Sequence, residues 1–162
     1  MSEITRIRIL HTGSVRIDRA LAYRERTLHP MPYTGWLRPQ SARLTVPVSA
    51  YLVEHSRGPV LIDTGWHTDM RLDQRQHLGF LASTMFQGEL PEGAAIHEQL
   101  AKLGIGERDL EAVVLTHLHA DHASGLKHVA GAKRILVSEL EVAAAQRSLG
   151  YSRAMWRGVR MD

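Results

Sequence analysis

Thr116-His117-Leu118-His119-Ala120-Asp121-His122 is the stretch on which the fold and the chemistry are both read. Three imidazoles and one carboxylate fall between positions 117 and 122. They follow Leu110 to Leu115, a short apolar run holding Val113 and Val114 that reads as a buried strand. In extended backbone, residues two apart project to the same side, so His117 and His119 share a face; in a helix they would point apart. Asp121 and His122 fall where the chain must turn, and Ala123-Ser124-Gly125 can begin a helix. Strand, turn and helix start together bring four donors from one short segment to one place.

Imidazole nitrogen with carboxylate oxygen is a donor set for divalent metal, zinc foremost, with iron, cobalt or manganese as alternatives. His117, His119, Asp121 and His122 are more donors than a closed tetrahedral site needs from so short a segment. Adjacent Asp121 and His122 cannot easily join both earlier histidines on a single ion, so two ions explain the crowding better, each taking further ligands from elsewhere. Any one of the ten histidines is more often a surface or packing residue. The spacing carries the weight.

Working outward, Val60-Leu61-Ile62-Asp63-Thr64-Gly65 puts a second carboxylate at a strand end. Asp63 has two readings: it holds a ligand histidine in one tautomer through the free ring nitrogen, or it is a turn-forming residue before glycine. Both stay open. His11 and His67 also follow strand ends but have no partner pattern. His128 lies outside the motif spacing and is given no role. Glu139 and Glu141 read as helix-start residues, Ser138 and Glu141 forming a capping box ahead of Val142.

The other elements follow from periodicity. Arg6-Ile7-Arg8-Ile9 alternates like a half-exposed strand that Gly13 is expected to end. Residues 14 to 43 show little periodicity and read as a long loop, with Tyr23, Tyr33 and Trp36 as candidates to line a pocket or simply to pack. Leu44 to Glu54 and Pro59 to Asp63 read as strands joined by the hairpin loop His55-Ser56-Arg57-Gly58. Residues 66 to 93 look polar and irregular. Ala94 to Leu103 has helical spacing with Gly104 at its C-cap, and Arg134 to Val137 is a further strand. Strands come first, then alternating helix and strand, within a single domain covering residues 1–162.

With 162 residues, 44% hydrophobic and 23% charged, the composition is that of an ordinary globular domain. The absence of cysteine excludes a disulfide framework, a thiol nucleophile and thiolate ligands. The formal charge is +3, with arginines concentrated early in the chain. Because they alternate with apolar residues, they read as a solvated strand face, and no nucleic-acid partner is expected. The first residues lack a signal-peptide core, and no apolar run reaches the roughly 18–20 residues of a membrane span. A cytoplasmic protein without a membrane partner is the expectation.

These residues resemble the metallo-β-lactamase-fold hydrolases. The resemblance rests on Thr116 to His122 preceded by Leu61-Ile62-Asp63-Thr64-Gly65. Within that superfamily the chain is most similar to the N-acyl homoserine lactonase group. That closer likeness rests on Val46-Pro47-Val48-Ser49-Ala50-Tyr51-Leu52-Val53 leading into Asp63-Thr64-Gly65-Trp66-His67, and on His11-Thr12-Gly13. It implies an α/β fold, an αββα sandwich with metals at one edge. His117 and His119 would bind the first of two divalent ions, Asp121 and His122 the second. A bridging hydroxide would attack a lactone or other ester-like small molecule, with Asp121 as the catalytic residue that orients it and takes its proton.

The family pattern also includes a further histidine, a bridging aspartate, a last histidine and, in the lactonase group, a tyrosine. Of the 40 residues after His122, only His128 and Asp162 are of the first two types, and neither sits in a suitable context. The chain therefore reads as the N-terminal half of the sandwich, incomplete as given, with impaired activity. Its uncovered sheet face would favour self-association. Thioester hydrolysis of the glyoxalase II kind, phosphodiester cleavage and a non-catalytic binding module stand as alternatives.

Overall fold

The computed structural model describes residues 3–147, 156 and 158–161. Asp162, noted above, lies outside the described residues. One six-stranded sheet organises the chain, in the spatial order β4-β1-β2-β3-β5-β6: β1 (Ile4–Asp18), β2 (Arg43–His55), β3 (Val60–Ile62), β4 (Gln87–Glu89), β5 (Ala112–Val114) and β6 (Ile135–Leu136). β1, β2, β3 and β4 pair antiparallel, while β3, β5 and β6 run parallel.

Register explains the two faces of the sheet. Leu52, Leu61, Val113 and Ile135 are aligned across four strands and buried. With Leu10 and Ala50 they form a core completed by Ile96 and Leu100 from α5 (Ile96–Lys102), and by Leu126, Val129 and Ala145. The next row is Ile9, Tyr51, Ile62, Val114 and Leu136, which period-2 geometry places on the opposite face. Ile9 is 58% exposed, and Ile7, on the same face, 60%. Among the described residues this face is exposed at Ile7, Ile9 and Tyr51 and half-buried at Ile62, Val114 and Leu136.

Six other helices are short or terminal: α1 (Arg19–Ala22), α2 (Asp69–Leu72), α3 (Gln74–Leu78), α4 (Phe80–Met85), α6 (Ala120–Ala123) and α7 (Glu139–Arg147). A second apolar cluster joins Val15, Ile17 and Val48 of the long hairpin to Trp66, Met70, Leu78, Leu90 and Ala95. It seats α2 and α3 against the sheet.

The expected strands from β2 onward, the helix at α5 and the hairpin loop are all present. Two expectations are corrected. Gly13 does not end the first strand: at φ +100° it sits in a bulge between His11 and Ser14, and pairing with β2 resumes to Asp18. A Cβ there would lie 2.0 Å from the Glu89 carbonyl oxygen, so glycine permits β4 to close on β1. The loop accordingly begins after Asp18 and includes α1 and two 3-10 turns, Pro32–Thr34 and Gln40–Ala42. Residues 66–93 are not irregular but hold α2, α3, α4 and β4. Tyr23, Tyr33 and Trp36 are exposed, Trp36 Nε1 donating to Thr84 Oγ1 at 3.1 Å.

The arginines divide. Arg6 and Arg8 flank Glu54 on β2, as a strand face should. Arg38 is not solvated: only 8% of its side chain is exposed, and it forks onto fully buried Asp18 while also reaching Glu25. Burial alone would raise the Asp18 carboxyl, but the Arg38 guanidinium and the Ala20 N–H outweigh it and hold it low. That buried pair anchors the long loop to the end of β1. Among the described residues, no helix is long and apolar enough to cross a membrane.

Candidate metal centre

β3 and β5 are parallel neighbours, so their C-terminal ends open at the same edge of the sheet. In α/β sheets this edge is where ligands bind, because loops diverge there and leave backbone groups available. Asp63 leaves β3 at this edge and Thr116 follows β5. The two strand ends are pinned together by Asp63 N donating to Val114 O at 2.8 Å.

Asp63 adopts a left-handed backbone, φ +59°, which aspartate tolerates better than most residues. The turn points its buried carboxylate back across β5. Oδ1 accepts from Thr116 N at 2.9 Å, and Oδ2 accepts from Thr116 Oγ1 at 2.8 Å. Oδ2 also lies 2.9 Å from His122 Nδ1. Both readings of Asp63 meet in this one residue: it makes the turn and it holds an imidazole. Burial would raise its carboxyl, yet the bonds from His122 and Thr116 prevail and keep it below the ordinary carboxylate range.

Thr64 and Gly65 lock the next turn. Thr64 donates from both N and Oγ1 to His122 O, each at 2.8 Å, and Gly125 N donates to Gly65 O at 2.8 Å. Gly65, at φ +64°, faces Thr12 so closely that a Cβ would lie 1.9 Å from Thr12 Oγ1. A Cβ on Gly125 would lie 2.4 Å from Thr64 O. Two glycines and one buried threonine thus bring the strand-end turn hard against α6.

The structure places the His117 ring beside those of His119 and His122, and Asp121 beside His122. His119 is extended at φ −67°, ψ 154°, and its ring meets the His117 ring edge-on at 4.8 Å between centroids. Between them Leu118 turns inward and is buried. α6 then carries Asp121 and His122 round, placing the His122 ring 4.0 Å from that of His117. His122 Nε2 is 3.6 Å from Asp121 Oδ2, and both side chains are about one-third exposed, at 30% and 32%.

This donor set fits divalent metal. With Nδ1 of His122 held by Asp63, its Nε2 is the nitrogen left to face a cation, the arrangement in which an outer carboxylate fixes the tautomer of a ligand. His117 Nδ1 lies 3.0 Å from Thr116 Oγ1, leaving its Nε2 outward. Burial and the neighbouring imidazoles of His122 and His119 lower the His117 pKa, favouring the neutral form that ligates. Burial lowers that of His122 too, but the carboxylates of Asp63 and Asp121 reverse this and leave it raised. A cation and this proton would therefore compete.

Sequence reasoning missed two features. Glu141 lies in the first turn of α7, and its Oε1 also reaches back to accept from Leu118 N at 3.0 Å, bracing the histidine segment. Helix-start spacing alone gives no sign of a partner 23 residues upstream. His67 and His128, read as unremarkable, stack at 4.1 Å beside His97 and His77. The only signal was the number of histidines.

The model of the metallo-β-lactamase superfamily matches residues 43–143, and the chain belongs to that superfamily. Among its relatives is the N-acyl homoserine lactonase AiiB of Agrobacterium fabrum, 32% identical over 145 residues, spanning 86% of this chain and 49% of that protein. The N-acyl homoserine lactonase of Bacillus cereus is 31% identical over 103 residues, spanning 64% of this chain and 41% of that one. The fold is shared with an N-acyl homoserine lactone hydrolase solved with the product N-hexanoyl-L-homoserine at its catalytic metal center. There the TM-score is 0.77 at 23% identity, covering 96% of this chain and 57% of the other. The chain spans about half the length of the curated relatives it matches.

Proposed function

We propose that this chain carries the first half of a single metallo-β-lactamase domain whose whole opens lactone rings, N-acyl homoserine lactones being the substrate class. The observation that supports it best is the placement of His122, with one ring nitrogen tied to Asp63 at 2.9 Å and the other facing Asp121 at 3.6 Å. Two divalent ions, zinc foremost, would supply a hydroxide nucleophile at neutral pH and polarise the substrate carbonyl.

The chain's own residues supply the rest. His117 and His119 present imidazole nitrogens for the first ion, Asp121 and His122 a carboxylate oxygen and an imidazole nitrogen for the second. Asp121, one-third exposed, can orient the attacking water and hold its proton until the ring oxygen leaves. Asp63 keeps His122 in its tautomer, and Glu141 keeps Leu118 from swinging His117 and His119 apart. The lactone itself comes from the similarity to N-acyl homoserine lactonases.

The test is ring opening of N-hexanoyl homoserine lactone by the zinc-loaded chain, followed by acid release, beside a thioester and a phosphodiester. The expected result is slow lactone opening, well below that of the Agrobacterium relative, which Asp121→Asn abolishes. Thioester or phosphodiester turnover with an untouched lactone would overturn the substrate assignment.

A further inference from the structure

α2, α3 and the loop after β3 enclose a cleft of about 300 Å³, lined by His67, Asp69, Gln76, His77, Ser124 and Lys127 among others. Its side chains are not those of the centre at His117 to His122. Three of them, His67, Asp69 and His77, each offer a ligand atom, and these atoms all lie within 4.8 Å of one another. Asp69 Oδ2 stands between two imidazoles, 3.9 Å from His77 Nδ1 and 3.1 Å from His67 Nδ1, a nitrogen that also accepts from Asp69 N at 3.1 Å and would exchange that bond for a cation. Donors around a tetrahedral zinc with bonds near 2.1 Å are separated by roughly 3.4 Å, so the trio is close to ligating distance already.

We propose that His67, Asp69 and His77 form a further divalent-cation site, suited to zinc or cobalt and separate from the candidate centre at the ends of β3 and β5.

Two observations carry it. His67 is fixed by its own backbone, whose N–H donates to buried Ser124 Oγ at 2.9 Å. The His77 side chain is only 8% exposed, and its Nε2 is buried without a hydrogen-bond partner among the described residues. A buried ring nitrogen without a hydrogen-bond partner is costly as packing material. Binding tilts the two rings, now 13° from parallel, toward a shared point. Three protein ligands leave a fourth position open to the cleft, the pattern of sites that admit water or a small anion. Lys127 opposes the cation, which puts the expected affinity on the order of micromolar.

Cobalt(II) titration of the full chain tests this, read by visible absorption and calorimetry, with folding checked by circular dichroism. Asp69→Asn is the principal variant because Asp69 is 58% exposed and its replacement leaves the core intact. His77→Gln is the second, and His119→Ala marks the other centre. Asp69→Asn and His77→Gln should each weaken one class of cobalt sites by roughly tenfold or more, and that class should persist in His119→Ala. Titrations of folded Asp69→Asn that superimpose on the wild type would overturn the proposal. So would loss of all cobalt binding in His119→Ala. If His77→Gln fails to fold, Asp69→Asn decides alone.

Discussion

Asp63 Oδ2 lies 2.9 Å from His122 Nδ1, although the two residues are 59 positions apart in the chain. The same carboxylate receives Thr116, so one side chain ties the end of β3 to both ends of the histidine segment. In the proposed centre these bonds would hold His122 in place before any ion arrives.

Asp63→Asn should show this. Asparagine keeps the shape but loses the charge and one acceptor, leaving His122 free to change tautomer. Zinc affinity, measured by competition with a chromophoric chelator, should fall about 10–100-fold. Stability should fall by about 1–3 kcal/mol, since Thr116 and His122 lose part of a buried partner. Unchanged zinc affinity would mean that Asp63 only shapes the turn.

Gly125→Ala tests the docking of α6 on the strand-end turn. Its Cβ would lie 2.4 Å from a backbone oxygen that cannot rotate away. A loss of about 1–3 kcal/mol is expected from the urea midpoint, together with weaker zinc binding, because Asp121 and His122 move with α6. Gly104→Ala, where a Cβ meets nothing within 4 Å, separates local crowding from the strain of a positive φ.

Much of this was legible beforehand. The H-x-H-x-D-H spacing is a local pattern, and alternation after an apolar strand already puts His117 and His119 on one side. Asp63 before Gly65 announced a strand-end turn. What was not legible is long-range. Nothing near Glu141 points to Leu118, and Gly13 looks like a stop until the pairing with β2 makes it a bulge. The helices α2 to α4 are too short, at four to six residues, for a 3.6-residue period to register; packing on Trp66 and Met70 forms them.

Glu98 gives a pH dependence of its own. Its carboxylate takes both terminal nitrogens of Arg71, at 2.8 and 2.7 Å, and the Ala95 N–H. The Arg71 bonds, opposed by burial, hold its pKa down at about 2 against an ordinary 4.5. A carboxylate with a lowered pKa stabilises above its unfolded value and loses that contribution as pH falls through the folded one. The wild type should therefore exceed Glu98→Gln by about 1–2 kcal/mol at neutral pH, discounted for partial exposure of both partners. The gap should be full above pH 4.5 and nearly gone at pH 2. A gap that stays constant over this range would rule out the ion pair as its source.

The apolar face with Ile7, Ile9 and Tyr51 exposed is expected to self-associate. Sedimentation of the chain should shift to larger species as concentration rises. Ile7→Glu/Ile9→Glu, on the exposed β1 positions, should reverse the shift without unfolding the chain. A monomer at every concentration would remove the argument for an uncovered face.

The most direct measurement is zinc binding by calorimetry to the full chain and to a variant lacking His117, His119, Asp121 and His122 as donors, each replaced by alanine. Folding of the variant is checked by circular dichroism. The variant should bind fewer zinc ions and lose the tighter class of sites. A folded variant that binds the same number with the same affinity would contradict the account.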